Sequence, residues 1–278
     1  MKKKYGRNIV FLIPFFFAFV FSCANSSKQQ ENKSFSEQNQ ELVVLDTVLG
    51  LEEEITPQKT FDSIASGLNF KPKTGYNATK EQIITVRNRL SREYKTETNN
   101  SKKDSLLDVV SLYFTKSLLN DIIPHWYGTE WDFNGYSDIP NQGTIACGYF
   151  VSTTLKHMGL NLNRYKMAQQ ASSLEVKSIA INANNIIVSK NNNISDTLKR
   201  LKEGVYIVGL DNHVGYLYLY NGKTYFIHSN YIDDRVMIEL TDHSPAFMSE
   251  TYYMINITHN TLLAKKWLEN EKITIHVK

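Results

Sequence analysis

The sequence predicts an α+β fold, and three observations carry that expectation. An amphipathic segment that starts near Cys147 reads as a helix, with Phe150, Val151, Thr154, Leu155 and Met158 on one face and Gly159 at a C-cap position. Three strand-like runs follow at residues 204–210, 213–220 and 223–231. The last two are joined by Asn221-Gly222, a short turn signal flanked by alternating apolar residues that pairs its strands antiparallel. A helix leading into such a sheet keeps helix and strand apart in the chain, as α+β folds do.

Length and composition agree with one sizeable domain and an appendage. The chain has 278 residues, of which 42% are hydrophobic and 21% charged, enough apolar surface for a core. A net charge of +3 with scattered lysines excludes the electrostatic footprint of a nucleic-acid binder.

Taken in order, the chain opens on a cationic stretch, "MKKKYGR", and an apolar run, "IVFLIPFFFAFVF", that Pro14 interrupts. The run is short for a membrane span and reads as a secretory signal over residues 1–22. It ends in "VFSC", which resembles the lipobox of bacterial lipoproteins and implies lipidation of Cys23. The expectation is a protein of the bacterial cell envelope, outside the cytoplasm and held to a membrane by lipid. Residues 23–40 have almost no apolar side chains and read as a flexible tether. Residues 41–120 read as a helical region. Within it, Ile83, Ile84, Val86, Arg87 and Leu90 share one face of a helix with a capping-box start at Thr79 and Gln82. A second helix carries Leu106, Val109, Val110, Tyr113, Phe114, Ser117 and Leu118, and Pro124 ends it.

Residues 121–278 read as the main domain. Its first part, up to Ala146, is rich in Gly, Asn, Asp and Pro and reads as loop; after Gly159, polar connecting material that includes "SKNNNISD" leads to the next helix. A short helix over 196–204, a strand over 249–258 and a final helix over 261–270 complete the expected elements.

Cysteine usage raises the functional question. With Cys23 taken by lipid, Cys147 has no partner in the chain, and a free thiol outside the cytoplasm needs burial or a task. Its place at a helix start favours thiolate over thiol, through the unpaired N–H groups and the helix dipole. The alternative is a small buried hydrophobe, and position alone leaves both open. A nucleophilic sulfur needs an imidazole as base and a third group to orient that imidazole. His213 and His228 lie near the same end of one expected hairpin and meet that need. Asp211, Asn212 and Asn230 flank them as turn or capping residues, with Asn230 as a possible substitute for His228. There is no HExxH, no paired-cysteine zinc pattern and no phosphate-cradling glycine loop, so no metal or other cofactor is expected.

"YGTEWDFNGYSDIPNQGTIAC", "ACGYFVSTTLKHMGL" and "HVGYLYLYNGKTYFIHSN" resemble the three signature blocks of the NlpC/P60 family of papain-like cysteine peptidases. The resemblance covers roughly residues 124–240. It implies a papain-like fold in which Cys147 is the nucleophile, His213 the base and acid, and His228 the orienting member. It further implies an oxyanion donor from the Cys147 N–H, a second from Trp131 or nearby Tyr127, and a peptide substrate, above all cell-wall peptide. The chain departs from the family pattern at Ala146, where relatives carry an aspartate, and at Trp131, where they carry a tyrosine. Two other readings stand beside the cell-wall hydrolase: a non-catalytic binding module of the envelope, and a peptidase acting on proteins.

Overall fold

The computed structural model describes residues 75–278. The signal at 1–22, lipidation of Cys23, the tether to residue 40 and the helical reading of residues 41–74 lie outside the described residues. Within them the fold is α+β, a helical layer against one six-stranded antiparallel sheet.

Two long helices come first. Helix α1 (Tyr76–Thr96) has its N-cap at Gly75, four residues before the expected cap at Thr79, and no side chain caps it. Tertiary contacts fix that start: the Tyr76 hydroxyl receives the Trp126 indole N–H at 2.7 Å and meets His157 Nδ1 at 2.8 Å. Helix α2 (Asn100–Ser117) is capped by the Asn99 side chain, which accepts the Lys102 N–H at 3.1 Å. It widens into a π turn (Leu118–Ile122) and tightens into a 3-10 turn (Ile123–His125) that contains Pro124. Pro124 closes the helical run as expected, by way of these two irregular turns.

Helix α3 (Cys147–His157) buries Phe150, Val151, Thr154 and Leu155, the face its spacing predicts. Two short helices follow, α4 (Arg164–Ala168) and α5 (Ser172–Ala180). They precede β1 (Ile187–Lys190) and α6 (Ile194–Arg200). The stretch between Gly159 and Asp196, expected as polar connecting material, is therefore structured. Val176, Ile179 and Ala180 are spaced to bury one side of α5, and Ser189 is buried in an edge strand.

The remaining strands are β2 (Gly204–Gly209), β3 (Val214–Tyr220), β4 (Lys223–Asn230), β5 (Arg235–Leu240) and β6 (Thr251–Asn256), and helix α7 (Thr261–Glu269) closes the fold. Strand order is β1-β6-β2-β3-β4-β5. The Asn221-Gly222 turn is as read: both residues have positive φ, at 49° and 70°, and Tyr220 pairs with Lys223.

Side chains alternate between two cores. Val205, Ile207, Val214, Tyr216, Tyr218, Tyr225 and Ile227 face the helices in the larger one. Tyr206, Val208, Leu217, Leu219 and Phe226 face a smaller one with Phe247 and Tyr252. Both faces are covered, so the central strands read as near-continuous apolar runs rather than as clean alternation. His228 belongs to the second face, and Gly215, its partner position on β3, makes room for it. A Cβ at Gly215 would stand 2.6 Å from Phe226 Cε2 and 2.9 Å from His228 Cβ.

Phe150 joins the helical layer to the sheet, fully buried and edge-on to Tyr216 at 5.9 Å between ring centroids. Phe150→Ala is expected to cost about 3–5 kcal/mol. Urea denaturation of both proteins measures it, and a loss below about 1 kcal/mol would contradict this packing.

Candidate active site

The start of α3 is set by hydrogen bonds that the preceding loop makes to the rest of the fold. Ile145 N–H reaches the Glu130 carbonyl and Ala146 N–H the Gly135 carbonyl, both at 2.9 Å. From β4, the Ser229 hydroxyl donates to the Ile145 carbonyl at 2.6 Å. Strand β4 thus positions the segment leading into Cys147 with one residue and presents His228 with the adjacent one, on its opposite face.

Cys147 is the first residue of α3 and is partly exposed. Ala146 has no side chain to cap the helix, so the first N–H groups stay free for another acceptor. The sulfur is that acceptor: the backbone N–H groups of Val214, Gly148 and Cys147 itself point at it and favour its anion. Val214 directly follows His213, which places the sulfur beside the turn that carries the imidazole.

His213 sits where the chain turns from β2 into β3, with its carbonyl accepting the Leu210 N–H at 2.8 Å. Its Nε2 meets His228 Nδ1 at 2.8 Å, and His228 Nε2 meets Glu239 Oε1 at 2.9 Å. The same Glu239 oxygen accepts the Ser244 hydroxyl at 2.6 Å. Burial raises the Glu239 carboxyl, but the bonds from His228 and Ser244 outweigh it and leave the group below its ordinary value. An ionised Glu239 accepts a proton-bearing Nε2 from His228, which leaves His228 Nδ1 with a lone pair. That lone pair accepts Nε2–H of His213, so His213 Nδ1 is left as a free base.

Both rings are neutral. Burial, together with the neighbouring His228, holds His213 well below the usual histidine value, and burial lowers His228 as well. The thiol departs from the expectation that a helix start favours the thiolate. Burial, with the carboxyl of Glu175 second, pushes it up to about 11, against the opposing pull of the three N–H groups. At rest the site is a neutral thiol beside a neutral imidazole, which is suited to moving a proton as the sulfur attacks.

The sequence-predicted residues divide in two. His213 and His228 are brought together, and the N–H of Val214, the residue after His213, favours the Cys147 sulfur anion, although no hydrogen bond joins that sulfur to the His213 ring. The Tyr127 hydroxyl does not bond to them, Trp131 reaches His213 through Tyr231, whose ring stands 5.2 Å from that of His213, and the Asn230 amide comes within 3.5 Å of Glu239 Oε1. The Trp131 ring packs against Tyr231 at 6.3 Å between centroids, and the Tyr127 hydroxyl is buried without a hydrogen-bond partner. Asn230 is not a substitute for His228: its oxygen accepts the Ile232 N–H at 2.7 Å and its amide reaches Asp233 at 2.8 Å, which closes the turn after β4. Asp211 has a similar local task, accepting the Glu250 N–H at 2.7 Å. Sequence reading missed Glu239 and Glu175. Among the described residues, no group of three His, Cys, Asp or Glu side chains could hold a metal ion. Compared with protein-family models, with curated proteins and with solved structures, the chain matches none.

The histidine environments predict an acid-labile fold. Both rings stay neutral when folded and gain protons when unfolded, so the unfolded chain binds more protons and stability falls as pH drops below about 6.5. Thermal midpoints taken between pH 7.5 and pH 5 should fall more steeply for the wild type than for His213→Gln. Equal slopes would contradict a neutral His213.

Proposed function

We propose that the chain is a cysteine hydrolase of the papain-like NlpC/P60 kind, lipid-anchored at Cys23 outside the cytoplasm of a bacterial cell, that cleaves amide bonds in cell-wall peptide. The observation that carries the reading is the hydrogen-bond chain from Glu239 through His228 to His213, beside the sulfur of Cys147. The family resemblance of the three sequence blocks and the envelope leader supply the substrate class.

In this mechanism Cys147 sulfur attacks the scissile carbonyl carbon while His213 Nδ1 takes the thiol proton. The carbonyl π pair moves to oxygen, and the N–H groups at the start of α3, which favour the sulfur anion before attack, are the donors that turn to that oxyanion. When the C–N bond breaks, the leaving amine takes the proton from the His213 imidazolium and a thioester remains. Water then attacks the thioester and passes a proton to His213, which returns it to sulfur as the acid product leaves. His228 and Glu239 touch no substrate; they hold His213 in the tautomer that can accept and stabilise its charged form once it has.

The raised thiol value favours a second reading, a binding module of the envelope that keeps the fold without the reaction. Incubating the protein with purified peptidoglycan and stem-peptide fragments separates the two. New amine termini should appear with the wild type and not with Cys147→Ala, and Glu239→Gln should cost roughly 100-fold in kcat/KM. Binding with no cleavage, or equal product from wild type and Cys147→Ala, would overturn the hydrolase reading. Because His213 is a base well below the ordinary histidine value, the acid limb of kcat/KM should lie below about pH 6.5. A limb at or above that pH would contradict the assignment of His213 as base.

A further inference from the structure

A second carboxyl, this one fully buried, stands against the start of α3. Glu175, on the first turn of α5, is 2% exposed, and its Oε2 is buried without a hydrogen-bond partner. The side chain packs against the backbone of Gly148, the residue after Cys147. A Cβ at Gly148 would stand 2.9 Å from Glu175 Oε1 and 2.8 Å from the Ala168 carbonyl, so glycine there is what lets the carboxyl approach. The hydroxyl of Ser172, one turn earlier in α5, bonds to the carbonyl of Leu210, at the turn that carries His213. Helix α5 is thereby clamped to both halves of the site.

Among the described residues, no cation forms an ion pair with this carboxyl. Arg164 of α4 is itself buried, but its guanidinium is taken by Thr153 at 2.8 Å, Tyr165 at 2.9 Å and the carbonyls of Tyr136 and Ser137. The ionisable groups on which Glu175 acts are Cys147 of α3 and Tyr216 of β3, and both are disfavoured as anions by its charge. Two acids that share a dry site with no counter-charge titrate against each other.

We propose that Glu175 is a positioning residue that governs the charge of the nucleophile: the start of α3 accommodates one negative charge, and Cys147 can carry it only while Glu175 keeps its proton. The proposal rests on Cys147 being the nucleophile of the reaction above. No chemical step is assigned to Glu175; it holds a neutral carboxyl beside the sulfur while charge develops there. Its own burial keeps it protonated well above the ordinary carboxylate range, which is the state this role requires. Raising the pH far enough to ionise Glu175 places a second anion beside the sulfur and postpones the thiolate.

The test is the rate at which iodoacetamide alkylates Cys147 as a function of pH, in the wild type, Glu175→Gln and Glu175→Met. Alkylation reads the sulfur directly and does not depend on hydrolysis, so it separates failure of this proposal from failure of the hydrolase reading. Both variants should titrate at lower pH than the wild type, with about tenfold faster alkylation at a fixed pH on the rising limb, the change that one pKa unit gives. Profiles that superpose on the wild type, or move to higher pH, would overturn the proposal. Stability provides a second readout. A carboxyl protonated in the fold and ionised in the unfolded chain makes stability fall as pH rises above about 4.5. The wild type should therefore lose stability relative to Glu175→Met between pH 4.5 and pH 8, whereas a constant difference would contradict a neutral Glu175.

Discussion

One ionised carboxylate governs the proton positions of the whole site. Glu239 lies at the end of an edge strand, near enough to His228 and Ser244 for their bonds to outweigh its burial. A fixed charge at that end dictates which nitrogen of His228 carries hydrogen, and His228 in turn dictates the same for His213. The His213 imidazole is therefore oriented by a charge two side chains away. Remove the charge, and either tautomer of His228 satisfies its neighbours, so His213 loses its enforced lone pair.

The opposite flank of the sulfur has the contrary character. Three backbone N–H groups favour a thiolate, while burial opposes it and prevails at rest, and Glu175 adds to that opposition once it ionises. A site with this balance stores no ion pair and generates charge only as bonds change. That protects a free thiol, since the thiol is far less readily oxidised than the thiolate. Gly148 and Gly215 serve this arrangement from the two sides, one admitting Glu175 and the other His228.

Much of this was legible in the sequence. The period of the α3 face, the Asn221-Gly222 turn and the common end of the hairpin for His213 and His228 all follow from local rules, and all hold. The two carboxylates escaped for different reasons. Glu239 sits in a short strand after a polar turn, and its relevance depends on register: Met237 lies opposite His228, and Glu239, two residues on, shares that face. Glu175 lies in a segment read as polar connection, although Val176, Ile179 and Ala180 mark a buried helical face around it. Thr79 and Gln82 erred the other way, because the capping pattern is local whereas the start of α1 is fixed by Tyr76 bonding to Trp126 and His157. Trp131 and Tyr127 were assigned from the family resemblance and Asn230 from its place beside the hairpin; side-chain direction, which sequence does not carry, puts Tyr231 between Trp131 and His213 and turns Asn230 toward Asp233, with a longer approach to Glu239.

Nitrogen-15 NMR of the histidine rings tests the central claim most directly, since it reads tautomers without substrate or turnover. The account predicts that at neutral pH both His213 and His228 carry hydrogen on Nε2 and show an unprotonated Nδ1. A spectrum with hydrogen on Nδ1 of His213, or with either ring charged at pH 7, would contradict it.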